Sequence, residues 1–147
     1  MNILSDSRAK TYCKKEILID APIEEIFSLI KNVSSWPEWQ SNVTKTNIEG
    51  KPEEGKEFVW EADGLKIKSV FHTIKKPSEI GWTGKILWIN AVHNWQLIKS
   101  GKRTKIVVTE HLKGIGSLFL KKTLCKGMTK NLRELKIVAE KNYYKKH

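Results

Sequence analysis

Between Val43 and Lys113 the chain passes through six consecutive segments of β character and then, from Ser117, into one long helical pattern. The six are VTKTNIEG, EFVWEADG, LKIKSVFHTIKK, EIGWTGKIL, WINAVHNWQLIKS and RTKIVVTEHLK, each bounded by Gly, Pro, Asn or Ser. Short links between neighbours predict an antiparallel meander. In the following SLFLKKTLCKGMTKNLRELKIVAEKN, Leu118, Leu124, Met128, Leu132, Leu135 and Val138 recur at helical spacing, with lysines around most of the remaining circumference. A long sheet and a single helix can bury both apolar faces only if the sheet curls around the helix. Gly127, near the middle of that helix, costs up to about 1 kcal/mol relative to alanine and marks a bend or a close approach.

Upstream, KKEILID (Lys14 to Asp20) alternates as a half-buried strand, and DAPIEEIFSLIKNV follows as a short helix. Asp20 is placed to cap it, Pro22 falls in its first turn, and Ile23, Ile26, Phe27 and Ile30 share one face. The connector NVSSWPEWQSNV then carries two tryptophans around a proline, more apolar area than a surface loop needs. Pro37 stiffens the turn between Trp36 and Trp39, and a connector this apolar covers something.

The last hairpin admits a register. If Ser100-Gly101 is a two-residue turn, Lys99 opposes Lys102, Trp95 opposes Ile106 and His93 opposes Val108. The apolar sets of both strands then fall on one face, and His93 and Glu110 share it as diagonal neighbours about 7 to 8 Å apart. A carboxylate on an apolar sheet face must be hydrogen-bonded or paired, which makes this pair the candidate polar element. It serves as a ligand anchor, an acid/base pair or, with somewhat more weight, a purely internal network. Phe71, Trp82 and Trp95 face inward from the sheet, and Met128 and Leu132 from the helix, which is also where ordinary core residues belong.

Composition removes other classes. The 147 residues, 39% hydrophobic and 29% charged, suit one domain, with a core over about 14–140 and loose tails at 1–12 and 142–147. No apolar run signals export or insertion, so a cytoplasmic protein is the default. Cys13 and Cys125 have no metal-site spacing and read as free thiols. His72, His93, His111 and His147 are too dispersed to argue for a metal, and no glycine-rich phosphate loop, GxSxG or HExxH is present, so no cofactor is indicated. The net charge of +11 invites an anionic partner, but Arg8, Arg103 and Arg133 are the only arginines and the lysines are scattered.

The P-x-E-x-x-F helix, the W-P-x-W connector, the H-x-W-x-L strand, the G-x-x-T turn and the following E-H-x-x-G resemble, in this order, the START-like (SRPBCC) superfamily in its polyketide cyclase/dehydrase-like branch, over about Lys14 to Glu140. The resemblance implies an α+β helix-grip fold: a curved antiparallel sheet of about seven strands around a long C-terminal helix, with two short helices after the first strand. It also implies a deep cavity between sheet and helix, one side of whose mouth the connector closes; Trp39 then suits a wall or lid and a core-end plug equally, and for Trp36, beside Pro37, the plug is favoured. It does not fix one activity, because the superfamily hosts lipid carriers, ligand binders and cyclases. The first expectation is binding of a small hydrophobic ligand, lipid-like or polycyclic, at Trp39, Phe71, Trp82, His93, Trp95, Glu110, Met128 and Leu132. The second is a polyketide cyclase or dehydratase using Glu110 and His93 as acid and base. The third is a lysine surface for nucleic acid, which is disfavoured, or for an anionic membrane, which is allowed but not indicated.

Overall fold

The computed structural model describes residues 3–146. Seven strands, β1 (Thr11–Ile19), β2 (Val43–Ile48), β3 (Glu57–Ala62), β4 (Leu65–Lys75), β5 (Glu79–Ile86), β6 (Ile89–Ser100) and β7 (Arg103–Gly114), form one antiparallel sheet in the order β1-β7-β6-β5-β4-β3-β2. Helix α1 (Ile23–Lys31), a 3₁₀ turn and the one-turn α2 (Trp36–Trp39) lie between β1 and β2. A second 3₁₀ turn (Ser117–Leu120) leads into the 26-residue α3 (Lys121–Lys146). This is the helix-grip arrangement the meander and the terminal helix require.

The helices bury the faces their spacing predicts, with two changes. Ile23, Ile26, Phe27 and Ile30 of α1 are buried, but Pro22, not Asp20, is its N-cap residue. Asp20 instead receives the Tyr144 hydroxyl on its carboxylate and gives its N–H to Glu140, tying α1 to the end of α3. On α3 the buried stripe is Met128, Leu132, Leu135 and Ala139; Leu118 lies before the helix and is exposed.

The β6–β7 register is displaced by two residues from the Ser100-Gly101 expectation. Ser100 pairs with Arg103, so Gly101-Lys102 is the turn and Gly101, at φ +63°, takes its first position, where a mirror-image hairpin turn favours glycine. Trp95 therefore opposes Val108, and His93 opposes Glu110 directly rather than diagonally. An even displacement preserves which face each side chain takes, so the inward set survives.

Two further expectations are overturned. Cys13 and Cys125 are not free thiols: they form a disulfide that joins β1 to α3 across 112 positions of sequence, with Cα atoms 5.7 Å apart. Inward alternation on β1 and the packing of α3 over the sheet bring them together, which sequence spacing cannot show. The described part of the N-terminal tail, from Ile3, is also built in. Thr11 and Tyr12 belong to β1, and Ile3 to Asp6 form a strap hydrogen-bonded to His72 of β4, Val92 and Asn94 of β6 and His111 of β7, on the face opposite Phe71 and His93. There Asn94 accepts from the Ser5 N–H (2.8 Å) and donates to the Ile3 carbonyl (2.7 Å), while the Asp6 N–H donates to His111 Nδ1 (2.8 Å). At the other end α3 continues to Lys146; His147, named among the dispersed histidines, lies outside the described residues. No helix among the described residues is long and apolar enough to cross a membrane.

Candidate functional site

Register places one row of cross-strand partners along the concave face: Phe71 on β4, Trp82 on β5, His93 on β6, Glu110 on β7 and Cys13 on β1. Each neighbour in the row is directly opposite the next, the closest approach a sheet offers. The His93 imidazole lies flat on the Trp82 indole, with centroids 4.8 Å apart and planes 4° apart, and is tilted against Trp95 at 5.4 Å. Its Nδ1 is hydrogen-bonded to Glu110 Oε1, and both side chains are largely shielded from solvent.

Above this row, under α3, is a cavity of about 160 Å³. Its walls include Trp36, Trp39, Trp60, Trp82 and Trp95, with His93 and Glu110 on the sheet side and Leu124, Gly127, Met128 and Asn131 on the helix side. It is smaller than the roughly 300 to 1,000 Å³ typical of a pocket for a drug-sized molecule. The reason is visible in the walls, where five indoles occupy space that smaller residues would leave open. Of the eight expected site residues, Trp39, Trp82, His93, Trp95, Glu110 and Met128 border the cavity. Phe71 and Leu132 do not: Phe71 is packed against Phe58 and Trp82, and Leu132 is buried in the α3 core stripe. Nor is Gly127 a close approach, since a Cβ there would meet nothing within 4 Å; the glycine opens onto the cavity.

The connector's tryptophans answer differently from the simple plug. Trp36 donates its indole N–H to the Ile30 carbonyl (3.1 Å) and sets its ring edge-on to Phe58 and Trp60, so it seals α1 against the sheet while forming cavity wall. Trp39 borders the cavity with its Nε1 unpartnered. The same holds for Trp95 Nε1, His93 Nε2 and Asn131 Oδ1: all four atoms are buried, and none finds a partner among the described residues. Four such groups around one small apolar space is a high density, since buried polar atoms are nearly always satisfied. Trp60 and Asn131 were missed from sequence. Trp60 stands two positions from the inward Phe58, and Asn131 continues the Leu124–Met128 helical face, so each had a periodic signal that polarity or strand brevity masked.

The family model described as "Polyketide cyclase / dehydrase and lipid transport" matches residues 13–140. The chain belongs to that family. Its fold is shared with solved structures of low identity. A hypothetical protein, jhp0584, from Helicobacter pylori aligns at 15% identity over 95% of this chain and 97% of its own, with a TM-score of 0.82. A START superfamily protein from Mycobacterium smegmatis gives 13% identity over 88% and 97%, at 0.76. The Zhui aromatase/cyclase from Streptomyces sp. R1128 gives 10% identity over 88% and 93%, at 0.78. A comparison with curated proteins finds no match.

Among the described residues no three His, Cys, Asp or Glu side chains converge as metal ligands. What the wall offers chemically is two indole N–H donors, one amide oxygen acceptor and one imidazole nitrogen. Glu110 decides how that nitrogen behaves. A neutral His93 whose Nδ1–H is received by the Glu110 carboxylate would present the Nε2 lone pair as an acceptor or base.

Proposed function

We propose that the cavity binds one compact, mainly apolar molecule carrying carbonyl and hydroxyl groups. The observation that carries this is the set of four unpartnered polar atoms on an indole-lined wall. Trp39 and Trp95 donate to a ligand oxygen, and His93 Nε2 and Asn131 Oδ1 accept from a ligand hydroxyl. Apolar stacking against Trp82 and Trp36 supplies the bulk of the affinity. At about 160 Å³ the space holds on the order of ten waters, or one small ring system or a short acyl segment. Native mass spectrometry of freshly purified protein tests this: a stoichiometric small molecule is expected, absent from a Trp95→Phe, Asn131→Leu variant that keeps its fold. A wild type that carries nothing and takes up no carbonyl- or hydroxyl-bearing ring compound refutes it.

A second function is favoured by the His93–Glu110 geometry. An imidazole oriented through Nδ1, with Nε2 unpartnered, is the arrangement of a general base. On the single ring or short segment of a polyketide-like substrate that the cavity can hold, His93 Nε2 would take a proton from the carbon next to a carbonyl held by the indole N–H groups. It would then return that proton to a departing hydroxyl, which leaves as water. A general base contributes about 10² to 10⁴ in rate, so His93→Gln tests it once a turnover assay is established. A rate left unchanged by that substitution leaves only the binding function.

A further inference from the structure

Five large apolar side chains stand in solvent on two loops: Leu87 and Trp88 between β5 and β6, and Ile115, Leu118 and Phe119 between β7 and α3. Trp88 is 71% exposed, Ile115 80% and Phe119 89%. The loops touch. Ile89 pairs with Gly114, and a Cβ on Gly114 would lie 2.1 Å from the Trp88 carbonyl oxygen. Leu87 holds φ at +51°, a left-handed conformation unfavourable for a leucine, so this tip is kept at a local cost. Isolated apolar residues on a surface need no explanation, but a contiguous group does.

Alongside runs a groove formed by Lys15 of β1 with Lys121, Lys122, Lys126, Lys130 and Arg133 of α3, and no carboxylate lines it. Lys121 and Lys122 open the helix, and no acidic residue stands in its first turn. Cations there oppose the helix dipole, so they do not serve α3 itself. The groove begins where the apolar tips end, because Phe119 and Lys121 are two residues apart.

We propose that this end of the molecule docks on an anionic lipid bilayer, with the apolar tips at the headgroup–acyl boundary and the groove's cations over lipid phosphates. Apolar tips next to a basic stripe are complementary to such a surface in both hydrophobicity and charge. A second copy of the chain fits less well, since pairing these faces would bring two basic grooves together on a protein of net charge +11. Nucleic acid fits less well too: three of the five tips are aliphatic and cannot stack on bases, and the groove has one arginine. Ile86, Ile89, Thr123 and Leu124 border the cavity within a few residues of the tips, so docking places the bilayer at one end of the cavity.

Sedimentation with phosphatidylcholine vesicles, with and without phosphatidylglycerol, tests the docking on protein with no added cavity ligand, so its failure leaves the cavity function untouched. Binding is expected only with the anionic lipid. It should weaken as salt rises from about 0.1 to about 1 M, which shortens the screening length from about 10 to about 3 Å. Lys121→Gln and Lys122→Gln should each weaken it about fivefold. The pair Trp88→Ser, Phe119→Ser should weaken it more than tenfold with thermal stability unchanged, because both side chains are solvent-exposed in the free protein. Equal binding to both vesicle types overturns the proposal, as does full binding by the Ser variant. So does tip-dependent self-association without lipid, or a single-stranded oligonucleotide held more tightly than anionic vesicles.

Discussion

Glu110 faces His93 directly across the β6–β7 ladder and holds its Nδ1. Direct opposition matters because the carboxylate then selects the tautomer that His93 presents to the cavity. Glu110→Gln keeps size and a hydrogen bond but offers an amide in place of a carboxylate. It is expected to preserve the fold and to weaken a hydroxyl-bearing ligand by about 1 to 3 kcal/mol, the scale of a charged hydrogen bond. Calorimetric titration alongside thermal unfolding separates the outcomes. Unchanged affinity with a lower melting temperature would make the pair structural only.

Gly127 tests the cavity from the other side. A helix-interior glycine facing open space gains from a methyl group: Gly127→Ala is expected to raise stability by about 1 kcal/mol, and nothing within 4 Å opposes it. Gly127→Leu should fill the space, leave the fold intact and abolish uptake of the ligand. A Leu variant that unfolds, or binds as wild type does, would show that α3 does not form the cover at this point.

Much of this site was legible in the chain because side-chain parity is robust. His93, Trp95 and Glu110 fell on the inner face even though the turn was placed at Ser100-Gly101, since a two-residue displacement keeps every residue on its face. The distance between His93 and Glu110 was not legible, because it depends on which residue takes the left-handed turn position. Phe71 and Leu132 show a second limit: periodicity identifies an inward face, but whether that face meets a void or another ring is settled by third-party packing, here Phe58. The disulfide and the strap depend on contacts between elements far apart in sequence, for which no local pattern exists.

The strap makes stability pH-dependent. His111 accepts the Asp6 N–H and His72 accepts the Ile3 N–H, each through Nδ1, which only the neutral ring can do. Burial lowers the pKa of both rings, that of His72 to about 4; Lys113 adds to the effect at His111, against Asp6 and Glu110. At His72, Glu54 opposes it and His93 adds to it. An unfolded chain therefore binds more protons below about pH 6.5, and stability should fall as pH drops from there toward about 4. Melting curves across that window, with amide exchange at Ser5 and Asp6, check it. His111→Gln should flatten the slope, and a pH-independent melting temperature would contradict the assignment.

Cys13 ends the row that begins at Phe71, and Cys125 lies three residues before Met128 on the helix that covers the cavity. The bond thus fastens β1, the strand beside Glu110, to the helix that covers the cavity, at the end of α3 nearest the exposed apolar loops. Closing a loop of this length restricts the unfolded chain, a contribution of typically 2 to 4 kcal/mol, and each kcal/mol corresponds to about 2 to 4 °C in a chain of this size. Reductant, or the double change Cys13→Ser, Cys125→Ser, should lower the melting temperature accordingly. The sheet should stay intact, because the ladder hydrogen bonds and the buried Leu132, Leu135 and Ala139 do not depend on the bond. Exchange protection should fall first in the opening turns of α3, between Lys121 and Met128, and ligand release should accelerate with it. Labelling of two thiols in the unreduced native protein would contradict the bond. Equal melting temperatures with and without reductant would show that it adds nothing to stability.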